Sequence, residues 1–246
     1  MLDKQNKFFI HFLLGLTILF MGISLASAQQ TGATVTNISH TTKGSVTPDS
    51  RNDTKGTINT IILTATQQNN KWKAYVGNVS STFVLDDAND YSIYRWNMDS
   101  FSGQVYITRN NSITWGSVDC ATAGNKATED SAIGHVSTRA DSVNRTFVSQ
   151  IHRNLTVGAR FITNDTCYSI ATWQNNTQPT LSKTIPFQEL LLWDGSHMVY
   201  ATFVENDKAG YRNDTPKTTY DFQAIVPDDG QASNPALRYY FYLELS

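Results

Sequence analysis

The chain has 246 residues, with 19 Lys and Arg against 21 Asp and Glu and a formal net charge of −2. No stretch gathers its basic residues into the patch that a nucleic acid needs, so that class of partner is set aside. Its two cysteines, 14 glycines and six prolines are too few for a disulfide-dense scaffold or a collagen-like repeat.

Lys4 and Lys7 precede an apolar run from Phe8 to Leu25 that closes on Ala26-Ser27-Ala28. A charged start, an apolar middle and a small-residue end form a secretory signal with its cut after Ala28. The run is also long enough to span a bilayer, so an uncleaved anchor is the alternative and the one membrane contact foreseen. Cleavage would leave 218 residues carrying 17 basic and 20 acidic side chains, a size at which all-β units are often undivided. The expected organisation is a signal peptide over 1–28, a flexible stalk over 29–56 and a single β-rich domain over 57–246.

The stalk is Thr, Ser, Asn and Gly with almost no large apolar residue apart from Val35 and Ile38. Such a segment buries too little to offset its ordering entropy. Beyond it, short apolar-rich runs alternate with turn residues, and strands are expected at 58–66, 71–79, 81–85, 91–96, 104–108, 112–118, 158–163, 168–173, 189–193, 197–204, 220–226 and 238–245. The last is the cleanest, since Leu237, Tyr239, Phe241, Leu243 and Leu245 alternate with Arg238, Tyr240, Tyr242 and Glu244. Asp194-Gly195 predicts a hairpin with a type I′ turn, and Asp228-Asp229-Gly230 a second tight turn. Val143, Phe147, Ile151 and Leu155 recur every four residues behind Asp141 and Ser142, which predicts one short helix near 142–155. Residues 121–140 otherwise read as a polar loop. The sum is an all-β fold, a β-sandwich or jelly-roll-like body.

Cys120 and Cys167 lack the short spacing of a metal or redox pair. In an exported chain they predict one disulfide, whose loop of about 48 residues restricts the unfolded state by roughly 4 kcal/mol. Asn-X-Ser/Thr sequons fall at Asn37, Asn52, Asn78, Asn110, Asn144, Asn154, Asn164, Asn175 and Asn213. With 20 Asn and 51 Ser or Thr in the chain, chance yields about four, so nine marks a glycosylated surface.

Candidate chemistry is sparse. The cluster Asp86-Asp87-Ala88-Asn89-Asp90 offers hard oxygens to calcium through Asp86, Asp87, Asn89 and Asp90, yet its spacing is not that of an EF-hand. The other reading is a solvated turn capped by its own side chains. Trp72, Trp96, Trp115, Trp173 and Trp193 would stack on sugar rings if they lay on one open face; core placement is the competing reading. His40, His135, His152 and His197 have no partner at zinc-helix spacing, and no nucleophile elbow or phosphate loop occurs. A carboxylate pair assembled from Glu129, Glu189, Asp194 or Glu205 would be needed for glycoside hydrolysis. No catalytic residue and no cofactor is therefore assigned, calcium aside.

The segment Trp72 to Ser80, the acidic turn at Asp86 to Asn89, the stretch Trp115 to Cys120, Cys167, and Val199 to Asp207 ahead of Tyr220-Asp221-Phe222 resemble uncharacterised archaeal secreted and cell-surface β-rich glycoproteins. The resemblance spans most of 71–246 and implies an extracellular location without any catalytic residue. The functional expectation is a coat, filament or adhesion subunit that meets other envelope proteins, or itself, through sheet edges. A carbohydrate-binding module holding glycans is the alternative, and a secreted hydrolase a third. Sugar-free strands from Phe187 to Val204 and from Tyr220 to Ser246 are the expected contact faces.

Overall fold

A computed structural model describes residues 29–245 except 99, 101, 232 and 233; the signal segment lies outside the described residues. The chain is all-β, built from antiparallel strands: β1 (Thr31–Gly32), β2 (Trp72–Gly77), β3 (Thr82–Asp86), β4 (Ser92–Asn97), β5 (Gly103–Thr108), β6 (Asp119–Cys120), β7 (Leu155–Val157), β8 (Arg160–Ile162), β9 (Ser169–Ala171), β10 (Gln188–Trp193), β11 (Met198–Phe203), β12 (Lys208–Ala209), β13 (Thr219–Tyr220), β14 (Phe222–Pro227) and β15 (Tyr240–Leu245). Two short helices, α1 (Ala123–Ala132) and α2 (Val143–Thr146), complete it.

Seven strands form one sheet in the order β1-β15-β5-β11-β10-β6, with β9 beside β6 on the outer edge of β10. The central strands β10 (QELLLW) and β11 (MVYATF) are buried along almost their whole length, because both faces of the sheet are covered. That is why their sequences read as unbroken apolar runs instead of alternating ones. Leu190 and Leu192 look to one side with Tyr106, Val199 and Ala201; Leu191 looks to the other with Ile107 and Tyr200.

The Tyr106 side is closed by the β7–β8 hairpin through Leu155, Val157 and Ile162. Trp115 seals it, its ring meeting Tyr106 and Tyr242 edge-on with centroids 5.1 and 5.4 Å away. The Tyr200 side is closed by Ile133, Val143 and Phe147 from the helical region and by Ala224 and Val226 of the β2–β14 ribbon. That ribbon meets the sheet along the edge of β14. The Ile225 N–H donates to the Glu189 carboxyl at 2.9 Å, and the Thr202 hydroxyl donates to the Gln223 carbonyl at 3.1 Å. Two sheet side chains thus take the place of a neighbouring strand.

The Cys120–Cys167 disulfide forms as expected, with Cα atoms 4.8 Å apart. It ties β6 to the residues entering β9, and both strands pair with the same edge of β10.

Several expectations need correction. Residues 121–140 are not a loop, because α1 lies within them. Thr122 starts it with a capping box, its hydroxyl accepting from the Asn125 N–H while the Asn125 side chain accepts from the Thr122 N–H. Its buried positions Lys126, Glu129 and Asp130, continued by Ile133 just past its end, keep helical spacing but are mostly charged, so an apolar pattern does not reveal them. The helix expected over 142–155 is one turn only. Ser142 caps α2, Phe147 leaves helical geometry at φ −95°, ψ 83°, and Leu155 is buried as the start of β7. The apolar spacing there serves two elements.

The run 58–66 forms no strand and stays exposed, and 112–118 holds a 3₁₀ turn at Trp115–Ser117 instead of a strand. The Asp194-Gly195 hairpin is present, but Asp194 N–H donates to the His197 carbonyl, and Gly195, at φ 99°, is the left-handed residue in this turn. Ser196 is not at positive φ, so this is not the I′ turn, which needs two such residues. The pair of left-handed residues that marks I′ occurs at Asn175 and Asn176, where Gln174 and Thr177 exchange both backbone bonds. Finally, the stalk begins as a strand: Thr31 and Gly32 pair with Leu243 and Tyr242, and Ala33 N–H donates to the Phe241 carbonyl at 2.9 Å.

Candidate functional site

The surface is organised by what it leaves uncovered. Residues 34–70 are exposed throughout, and they carry Ile58, Ile61, Ile62 and Leu63, with Ile58 fully accessible. The β3–β4 hairpin is exposed at every residue. It displays Phe83, Val84, Leu85, Tyr91, Ile93, Tyr94 and Trp96, each at 45 to 79% of full accessibility. In the hairpin register Phe83 and Leu85 share a face with Trp96 and Tyr94, while Val84 lies on the other with Arg95; single exposed apolar side chains are ordinary, and grouped ones are where contact is looked for.

Sugars would leave these regions free. The sequon residues Asn37, Asn52, Asn78, Asn154, Asn175 and Asn213 are exposed, and Asn110, Asn144 and Asn164 are half-buried. None is buried. Asn175 stands at the tip of the I′ turn, while Asn110 touches His197 Nδ1 through its amide nitrogen at 3.1 Å. No sequon falls between Asn52 and Asn78 or between Asn78 and Asn110, the two windows that contain the exposed apolar segments. Of the strands expected to be contact faces, β10 and β11 are closed to that role. β10 and β11 lie in the middle of the sheet, covered on both faces, and β15 is flanked by β1 and β5.

The acidic turn joins β3 to β4. The Asp87 carboxylate accepts from the N–H groups of Asn89 and Tyr91 at 2.8 and 3.0 Å, and Asp90 adopts φ 64°. Asp87 therefore acts as the turn's cap. Among the described residues no three His, Cys, Asp or Glu converge as a metal would require, so Asp86, Asp87, Asn89 and Asp90 are not brought together as a calcium site.

The tryptophans divide. Trp72 packs on the core and its indole N–H donates to the Asp141 carbonyl at 2.7 Å; Trp115 and Trp193 are packed as well. Trp96 and Trp173 are about half exposed. Trp96 stands 4.8 Å from Tyr94 with the planes tilted by 58°, not coplanar as a flat sugar platform would be.

The groups suited to catalysis are engaged separately. Glu129 holds Arg109 in a two-pronged ion pair at 2.6 and 3.1 Å and accepts from the Tyr200 hydroxyl. Glu205 pairs with Arg153, whose guanidinium also lies over the Phe203 ring at 4.1 Å. Asp194 caps its own turn by accepting from Ser196 and His197 N–H. Glu189 is wholly buried; burial raises its carboxyl well above the usual carboxylate range and favours the protonated form. His135 is buried with Nε2 against the Asp228 carbonyl at 2.8 Å, and His40 is exposed in the arm.

His152 has a structural task that sequence reasoning missed. Burial lowers its pKa, and the geometry uses the neutral ring. Nε2 accepts from the N–H groups of Thr166 and Cys167 at 3.0 and 2.8 Å, and Nδ1 donates to the Arg153 carbonyl at 2.7 Å. The imidazole thereby fixes the backbone beside the disulfide. Asp130 does similar work, its carboxylate accepting from Val143 and Asn144 N–H at the start of α2. Helical spacing from Lys126 to Ile133 was the signal available for the latter.

No helix among the described residues is long and apolar enough to cross a membrane. Comparison with known protein families, with curated proteins and with solved structures gives no match.

Proposed function

We propose that this is a secreted or surface-displayed glycoprotein with a structural or interaction role at the cell envelope, assembling with other envelope proteins or with itself. One observation carries the reading: two groups of exposed apolar side chains, on residues 58–63 and on the β3–β4 hairpin, fall in the sequon-free stretches between Asn52 and Asn78 and between Asn78 and Asn110, although Ile38, inside the Asn37 sequon, is equally exposed. A protein that coats itself in sugar yet keeps its apolar patches bare retains those patches for contact. Carboxylates and histidines committed to separate buried bonds support a non-enzymatic role. The export signal and the sequons argue for the extracellular location.

Negative-stain microscopy of cell surfaces, together with sizing of the purified mature chain, tests this. Assemblies retained at the surface are expected; a strict monomer found only in the medium would sink the assembly role. Intact-mass analysis of the same sample is expected to report cleavage after Ala28, glycan mass and the closed disulfide.

Glycan recognition is a second reading, which would use the half-exposed ring of Trp96 singly, since Tyr94 beside it is tilted by 58° and the two make no common platform. Aromatic faces stack on sugars, so glycan-array binding that disappears in Trp96→Ala would support it.

A further inference from the structure

We infer that residues 58–66 of one copy add as a strand to the open edge of β2 in a second copy, which makes this chain both donor and acceptor in its own assembly. The inference rests on the assembly reading above and names the surfaces it uses.

The acceptor follows from hydrogen-bond parity. In the β2–β14 pair, Ile225 sits opposite Ala74 and Gln223 opposite Val76. The Ile225 N–H and the Gln223 carbonyl are directed away from β2, toward Glu189 and Thr202. Antiparallel ladders alternate between bonded and unbonded pairs, so the N–H and C=O groups of Ala74 and Val76 are directed away from β14. The ribbon has two strands only, and among the described residues no strand lies on that side of β2. This edge has neither a proline nor a bulge along its six residues, two of the devices by which edges are blunted, and Lys73 is its one charged residue.

Beside it lies an open depression whose walls include Tyr75, Phe222, Phe241 and Leu243 together with the chain's own arm from Thr31 to Lys43.

The donor has the complementary pattern. In Ile58-Asn59-Thr60-Ile61-Ile62-Leu63-Thr64-Ala65-Thr66, side chains alternate sides when the chain is extended. Ile61, Leu63 and Ala65 then share one side, while Thr60, Thr64 and Thr66 share the other with Ile58 and Ile62. The segment is β-branched almost throughout, which suits a strand, yet it forms no strand and makes no backbone bond to β2. Its own chain leaves it unsatisfied. Donor and acceptor both fall in the sugar-free window between Asn52 and Asn78, so glycans on either side would not be crowded out by pairing. The arm is anchored at both ends, by β1 and by β2, so 58–66 stands off its own β2 by Gln67–Lys71, about 17 Å at roughly 3.3 Å per residue; reaching a second copy therefore requires the two β2 edges to lie close together.

The competing arrangement is a hairpin within one chain, in which 58–66 folds back on its own β2 across Gln67–Lys71. Cysteine pairing separates the two. Leu63→Cys/Ala74→Cys and Ile62→Cys/Ala74→Cys variants of the full chain would be exported, purified and oxidised as a mixture of isotope-labelled and unlabelled protein, and the crosslinked peptides mapped by mass. All three positions are exposed, so the fold is expected to be unchanged; a wild-type unfolding midpoint and an intact Cys120–Cys167 bond verify that. The inference expects disulfides joining labelled to unlabelled chains in one of the two variants, because a strand presents alternate residues to its neighbour, and a ladder of multimers on a non-reducing gel. A disulfide confined to single chains would overturn it in favour of the hairpin. Multimers by sizing with no crosslink in either variant would overturn the donor–acceptor pairing and leave assembly standing. A strict monomer by sizing would overturn assembly and this pairing together.

Discussion

The sheet-centred body and the exposed regions at 34–70 and 82–97 obey opposite rules. In the body, most buried polar groups have assigned partners: Glu129 with Arg109, Asp130 with the start of α2, His152 with two backbone N–H groups, one Glu189 oxygen and Thr202 with the edge of β14, while His135 Nδ1, Arg153 Nε and the other Glu189 oxygen are buried without a hydrogen bond. In the exposed regions, isoleucines, aromatic rings and strand edges face solvent. The first set explains why one chain folds. The second is where the proposed assembly would meet its partner. Changes in the body should therefore move stability, and changes outside it should move association.

The largest expected effect is on the staple. Opening the Cys120–Cys167 bond, through paired Cys→Ser changes, should lower the unfolding free energy by about 4 kcal/mol, read from denaturant midpoints. Close behind, Glu129→Ala strands Arg109 and the Tyr200 hydroxyl, and breaking a buried pair from one side costs about 3–5 kcal/mol; the same titration measures it. If either change leaves the midpoint alone, the body is not held as described.

Glu189 and His152 sharpen the comparison through pH, with opposite signs. The His152 pKa is lowered from 6.5 by burial, so its contribution is complete above the unfolded value and is lost as pH falls through the folded one. Unfolding midpoints should drop below about pH 6.5, with that slope reduced in His152→Asn. The Glu189 pKa is raised above 4.5, again by burial, so its contribution is complete below that value and fades as pH rises through the folded one. Glu189→Gln keeps an acceptor for the Ile225 N–H and should remove this loss, whereas Glu189→Leu orphans the donor at about 1–3 kcal/mol.

The smallest stability effects belong to the exposed regions. Leu63→Asp and Trp96→Ser should each shift the unfolding free energy by no more than about 0.5 kcal/mol, while reducing association. A large loss of stability there would erase the distinction.

Sequence legibility followed the same division. The alternation from Leu237 to Leu245 and the apolar runs around Asp194-Gly195 marked β15, β10 and β11 well, since apolar patterns report burial. The disulfide followed from compartment and cysteine count. α1 was invisible because its inward side is Lys126, Glu129 and Asp130, and no periodicity rule for apolar residues detects a charged buried face. The helix at 142–155 was overextended because Val143 and Phe147 serve α2 and the core while Leu155 serves β7. The contact face expected from Phe187 to Val204 falls on buried strands, because absence of sequons does not distinguish a bare surface from a buried strand. The strand expected at 58–66 did not form, because β-branched composition suits a strand but does not by itself supply a pairing partner.

Sedimentation velocity over a range of concentrations, run on the mature chain beside Ile61→Asp/Leu63→Asp, is the most direct test that the exposed regions carry association while the body stands alone. The wild type should sediment as concentration-dependent multimers and the variant as a monomer with an unchanged unfolding midpoint. A wild type that remains monomeric at every concentration, or a variant that unfolds, would contradict it.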